Sequence, residues 1–503
     1  MTPLRPLLCT GAAALVLTLA SGCFAGGGGD QASDGRISVA MLQPPRSGLS
    51  PLSDDAFKLS RWSTAETLVQ LDADGVAQPM LATSWQRTDD RTWTFELRSD
   101  VTFHDGTPLT SKEVVASLQT AAQASPVPRI LDGVELTVEA SGPDTVVVTT
   151  AVPDPLVPQR LSSPQLSVLA PKAYAAKAVD PVGAGTGPFE LTKVDGTSGA
   201  TLDRYDDYWG EKAKASGIDV RFVPDGTARA AALRTGDADV VEAVPVGQVA
   251  QLDEDLVVEV PMPRTNTLYL NTKKGPFKDP AVRAAAREAI DRARLVKDVY
   301  EGRADEASGL LGPALPWAAD LRADPEYTEL LAQRAEPAKV DGVRITLGTF
   351  TDRAELPEVA VLLEQELEAA GFVVQQDVRE YQFIEADALD GAFDAFILSR
   401  ATVLDSGDPV AYMASDFGCE GGFNIAQLCN DDVDAALDRA ARVEPGAERQ
   451  RLTMLAEAQV LGLDAAVPLL HERVIQGEAQ GVSGVERDPR ERDLIDSDSS
   501  AGA

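Results

Sequence analysis

Apolar and polar positions along this chain follow two periods, and the period switches repeatedly. Trp93-Thr94-Phe95-Glu96-Leu97 alternates as a half-buried strand does. Turn signals flank it, Asp74-Gly75 before and His104-Asp105-Gly106 with Pro108 after. A helix is predicted to start at Thr110 or Ser111, either of which can cap free amides. Glu113 falls in its opening turn and Val114, Val115 and Leu118 on its inner face. Downstream, residues 343–347 read as a strand. Val359, Leu362, Leu363 and Leu367 then recur at helical spacing until Gly371, and strands are predicted again at 372–374 and 393–398. Asp279-Pro280 is a helix start, an Asp cap with Pro at the first helical position, and Val282, Ala286, Ala289 and Ile290 are expected to share its buried face. Strand-like and helix-like runs alternate without an internal repeat, which argues for α/β lobes and against a solenoid.

The chain has 503 residues, too many for one simple core, so two or three subdomains are expected. A hydrophobic content of 44% with interspersed charge describes a folded body. The formal net charge of -34 repels nucleic acid and anionic headgroups, so neither is expected as a partner. An acidic surface mainly confers solubility and does not by itself imply a cationic ligand.

The chemistry-bearing residues are few. Two histidines, His104 and His471, are too sparse for an imidazole metal site, and a structural hydrogen bond is expected of His104. No nucleophile elbow, no Cys with a plausible His partner and no zinc-protease motif is found, so no enzymatic role and no cofactor is expected. The glycines at 183, 185 and 187 fit neither phosphate-loop spacing; they are expected to allow a tight turn into a strand at 189–191.

At the amino end, Arg5, an apolar run at 12–20 and Ser21-Gly22-Cys23 form a targeting segment too short to favour a spanning helix. It resembles a bacterial lipobox, which implies a signal peptide at 1–22, lipidation of Cys23 and a flexible tether at 23–35. Cys419 and Cys429 then remain as a pair in a compartment that permits disulfides. A zinc site would need ligands not found nearby, so a disulfide is expected.

The stretch from 66 to 118 resembles the extracytoplasmic solute-binding proteins of peptide and nickel ABC importers, family 5. Similar motifs recur as Thr186-Gly187-Pro188-Phe189, as Asp206-Asp207-Tyr208-Trp209, at 277–292 and at 405–434, in the family's order. The resemblance implies an α/β, two-lobed fold of the periplasmic-binding-protein kind, type II and of the large peptide-binding class. Lobe I would span 36–265 with an extra subdomain at 51–169, and lobe II 266–469. The chain would return to lobe I at 470–485, with hinge crossings near 264–268 and 468–473. Residues 486–503 are polar, without apolar periodicity, and are expected to be a disordered tail.

The same resemblance implies a monomer on the outer face of the cytoplasmic membrane, held there by its lipid anchor. It would deliver a peptide to an ABC permease and ATPase. Binding of nickel or a metal chelate, and a carboxylate-based hydrolase using Asp405 and Asp408, are the alternatives. In peptide-binding relatives an Asp at the position of Asp405 receives the ligand's α-ammonium. Asp405 follows a predicted strand and so falls where open α/β sheets bind ligands. Asp408 can cap the next helix or reach ligand. Arg400 stands where peptide binders often carry an aromatic, and is expected either to pair a ligand carboxylate or to neutralise Asp405.

Overall fold

The computed structural model describes residues 35–72, 75–131, 133–403 and 406–502; the targeting segment with Cys23, and Asp405, lie outside them. Two long antiparallel strands, Val257–Leu270 and Ala466–Glu478, form the middle of a mixed sheet. On one side lie Val240–Val241, Arg36–Met41 and Gly217–Phe222, followed by the antiparallel Gly199–Arg204 and Phe189–Asp195. On the other lie Ala395–Ala401, Val343–Phe350 and Phe372–Arg379. The central pair loses register between Pro261 and Thr265 and again between Asn266 and Thr267. Pro261 and Pro263 have no amide to donate there, so the ladder breaks and bends where the two halves meet.

Each half has its own core. One gathers Ile37, Val39, Trp62, Phe95, Phe103 and Phe189. The other gathers Leu268, Phe277, Leu347, Leu363, Ile397 and Val467, and runs back under the helix Gly226–Thr235. The protein is therefore two-lobed, with continuous strands passing between the lobes. A smaller cluster around Leu311, Tyr327 and Met454 extends the second lobe.

In the first lobe, Ala82–Asp89, Thr92–Leu97, Thr145–Thr150 and Leu136–Ala140 form a separate antiparallel sheet. Trp93, Phe95 and Leu97 point inward, as their alternation predicted. Burying a side chain such as Phe95 contributes about 1.5–3 kcal/mol. The helix Ser111–Ala122 packs on this sheet, capped by Thr110, whose hydroxyl accepts from Lys112 N and meets Glu113. Val114 and Leu118 are buried and Val115 partly so.

The motifs of this lobe converge. Glu66 is buried and accepts from Tyr208 Oη and Trp209 Nε1, both at 2.9 Å, and burial pushes its carboxyl up against the pull of those two donors. Arg98 stacks on Trp209. A Cβ on Gly185 would sit 1.8 Å from Thr64 O and one on Gly187 2.0 Å from Ser63 O. Close backbone approach, more than a turn, is what those two glycines serve; Gly183 alone has the positive φ, 59°. His104 donates its amide to Gly185 O, and its Nε2 lies 2.9 Å from Gly187 O.

Residues 486–502 are packed, which corrects the expected disorder of this tail. Leu494 and Ile495 are buried in the first core, Ile495 N donates to Arg61 O, and Arg492 Nη1 donates to Ser162 O at 3.1 Å. A polar segment with one apolar pair is held by buried arginines on distant carbonyls, which leaves no periodicity to read. The strand predicted at 393–398 runs instead at Ala395–Ala401. Asp394, before it, accepts from Thr346 N and Oγ1. Asp279 caps Pro280–Ala289; Ala286 and Ile290 are buried, Val282 and Ala289 half-buried.

Candidate functional site

Open α/β sheets present ligand sites beyond the carboxyl ends of their strands, and here those ends from both lobes face one junction. Glu242 directly follows Val240–Val241, Arg353 lies three residues past Val343–Phe350, and Arg264 sits where Val257–Leu270 crosses between lobes. Arg61 closes the helix Ala56–Arg61, and Glu491 arrives from the ordered C-terminal segment.

These side chains, with Glu472, form a file of alternating charge. Arg61 pairs with Glu242, and its Nη2 lies 3.1 Å from Glu491 Oε1. Glu491 Oε2 lies 3.5 Å from Arg264 Nη2, Arg264 Nε lies 4.0 Å from Glu472 Oε2, and Arg353 Nη1 donates to Glu472 at 2.9 Å. Burial pushes the Glu491 carboxyl up, but Arg61, Arg264 and Arg353 together hold it below the usual range. Burial and the neighbouring Arg353 both lower Arg264. Arg264 Nε is buried without a hydrogen-bond partner. The junction thus holds a cation whose anions stand off from it, which is costly unless another group completes it.

A second cluster lies on the wall of the second lobe. Arg400 Nε and Nη2 donate to Asp416 at 2.9 and 2.8 Å, and the guanidinium lies 4.1 Å from the centre of Phe423. Asp416 is fully buried and also accepts from Tyr269 Oη at 3.3 Å. Arg400 was expected to meet a ligand carboxylate or Asp405; these two nitrogens are committed to Asp416 instead. The sequence hides this because Asp416 lies 16 positions on, near the end of the next helix. Asp408 accepts from Val410 N at 3.0 Å as the cap of Pro409–Phe417. Both its oxygens also bond Arg449, at 2.6 and 3.0 Å. Within the lobe it is the expected cap and, in addition, an ion-pair partner of Arg449. Cys419 and Cys429 are joined as a disulfide just beyond this helix.

The lobes also touch at the mouth. Arg87 of the first lobe pairs with Glu444 of the second. Gly407 lies against the hairpin Val69–Leu71 and Ala77–Pro79; a Cβ on it would stand 2.6 Å from Leu71 Cδ1. Both histidines are interior: His104 as above, and His471 with its Nδ1 2.9 Å from Thr265 Oγ1. Burial lowers each to about 4.

Arg61, Glu242, Arg264, Arg353, Glu472 and Glu491 were all missed in the sequence. The available signal was the charge at Arg264 and Glu472, each beside an apolar run of its strand.

The model of the bacterial extracellular solute-binding proteins, family 5 middle, matches residues 76–424. The chain belongs to this family. The family 5 protein is 27% identical over 448 residues to the glutathione-binding protein GsiB of Escherichia coli O1:K1, covering 83% of this chain and 85% of that one. It superposes on the nickel ABC transporter protein of Bacillus halodurans with a TM-score of 0.75 and 25% identity, over 93% of this chain and 100% of the other. It superposes on DppA of Helicobacter pylori, solved with the peptide STSA, with a TM-score of 0.74 and 24% identity, over 91% and 97%. The family 5 protein is thus an extracytoplasmic solute-binding component of an ABC transporter, of the type II two-lobed architecture, and not an enzyme. Among the described residues no helix is long and apolar enough to cross a membrane.

Proposed function

We propose that the protein captures a peptide between its lobes and hands it to its permease and ATPase complex. The observation that carries this is the file of alternating charge at the lobe junction, from Glu242 through Arg61, Glu491, Arg264 and Glu472 to Arg353. A peptide is a zwitterion, and a floor bearing both signs can meet both ends, while carbonyls and amides at the strand ends hold its main chain. Contacts to both lobes favour the closed arrangement that the permease reads. In this reading Asp405 receives the ammonium and lipidated Cys23 holds the protein at the membrane. Both histidines are engaged inside the lobes, which supports peptide over bare nickel.

Calorimetry against di- to tetrapeptides and against nickel chloride tests this, alongside mass spectrometry of copurifying small molecules. Peptide binding with no heat from nickel is expected; copurification of a metal chelate, with peptides inert, would overturn the reading. Cys23→Ser is expected to shift the protein from membranes to medium or to leave an uncleaved precursor. Unchanged mature protein on the membrane would remove the anchor.

A further inference from the structure

We propose that Arg61 and Arg264 form a carboxylate subsite whose internal occupant in the unliganded protein is Glu491, displaced by a ligand carboxylate on binding. The inference rests on the binding of a peptide-like ligand at the lobe junction, and adds which groups its carboxylate meets and what must leave first.

Three observations carry it. The Glu491 carboxylate straddles two guanidiniums from different parts of the fold, Oε1 at 3.1 Å from Arg61 and Oε2 at 3.5 Å from Arg264. This is the placement a ligand's terminal carboxylate would take.

The grip on Arg264 is loose. Its contacts are at 3.5 Å to Glu491, 4.0 Å to Glu472 and 3.5 Å to Ser399 O, and its Nε is bare. A buried pair selected for stability closes further, as Arg449 and Asp408 do in this same molecule at 2.6 and 3.0 Å. Loose pairing of a half-buried cation, at 14% side-chain exposure, forfeits Coulomb energy that a better-placed anion recovers.

Glu491 also holds a left-handed backbone, φ 57°, which is strained for a non-glycine residue and persists only where its surroundings impose it. The residues either side impose it. Arg490 donates to Leu71 O and Asp72 O, and Arg492 to Ser162 O. The segment is pinned at both sides, and only the Glu491 side chain must swing for exchange. One carboxylate replaces another, so the charge of the floor is unchanged.

Glu491→Gln keeps the shape and removes the charge. In the variant, sodium acetate at about 100 mM, compared with chloride at equal ionic strength, is expected to raise the melting temperature by several degrees, because acetate then displaces a neutral amide where in the wild type it competes with a carboxylate. The wild type is expected to respond far less; an equal response in both overturns the proposal without any peptide being involved. Tri-alanine is expected to bind Glu491→Gln about tenfold more tightly than wild type, while its carboxyl-terminal amide gains nothing. Equal gains for acid and amide would reduce Glu491 to a structural strut. In the wild type, a crystal structure with tri-alanine is expected to show the Glu491 side chain swung off Arg61 and Arg264 with the backbone of 488–496 in place, and an unmoved side chain counts against displacement even should the variant fold poorly. If tri-alanine binds neither protein, the peptide reading falls while the acetate comparison still decides the subsite.

Discussion

At the scale of single residues, burial governs what each charged group can do. His104 and His471 are both held neutral, lowered to about 4 by burial, against an ordinary value near 6.5. Their folded values lie below the unfolded ones, so the unfolded chain binds the extra protons as the solution acidifies. The stability they support is therefore complete above about pH 6.5 and is lost as pH falls toward 4, at most roughly 3 kcal/mol for each. Urea denaturation at pH 7 and pH 5.5 should show His104→Gln and His471→Gln losing less stability on acidification than wild type; parallel losses would show that other groups dominate. Arg400 illustrates the converse case. Asp416 is fully buried, so Arg400→Ala strands its charge and is expected to cost about 3–5 kcal/mol, read by thermal melting. A cost below 1 kcal/mol would mean that Asp416 simply takes up a proton in the variant. Caps such as Thr110, Asp279 and Asp408 were legible because cap and capped amide are neighbours in sequence. Arg283, buried and bonded to Leu463 O and Phe277 O, was not, because one partner lies 180 positions away.

At the scale of elements, period and turn chemistry located most strands and helices, and their ends shifted where a side chain far along the chain intervened. Asp394 is such a case: its bonds to Thr346 take the strand start two residues past Phe393. The helix Pro409–Phe417 carries three fastenings. Asp408 caps it, Arg449 ties that cap to Ala440 O at the end of the helix Asp431–Ala441 and to Val443 O just past it, and the Cys419–Cys429 bridge closes the loop after it. Closing a loop of ten residues' separation is worth about 2–3 kcal/mol through the unfolded chain. Cys419→Ser with Cys429→Ser should lower the melting temperature accordingly while leaving peptide affinity within about threefold. A large loss of affinity would make the bridge part of ligand recognition. The segment 486–502 was the element most misread, because Leu494 and Ile495 are too few to mark a period and its hold comes from Arg490 and Arg492 on the distant carbonyls of Leu71, Asp72 and Ser162.

At the scale of the whole molecule, the two-lobed plan was legible from motifs spread along the chain, whereas the junction itself was not. Its file of charge draws on residues from 61 to 491, and no local pattern announces a set assembled by two strands crossing between lobes. Closure can still be tested from one position at the mouth. Gly407 has φ 69° and faces Leu71 of the opposite lobe, where a Cβ would stand only 2.6 Å from Cδ1. Gly407→Ala therefore carries two costs. Backbone strain acts whether the lobes are apart or together, and lowers the melting temperature of the unliganded protein by an amount that melting measures directly. The steric clash exists only when the lobes meet, so it subtracts from ligand binding alone, by about 1–2 kcal/mol if Leu71 gives partly. Peptide affinity should thus fall about tenfold, and X-ray scattering should show a larger radius of gyration for the variant than for wild type at equal subsaturating peptide. Leu71→Ala in the same chain is expected to restore affinity, because it opens the space the new methyl needs. Should Gly407→Ala bind as tightly as wild type, the contact between hairpin and loop would play no part in closure.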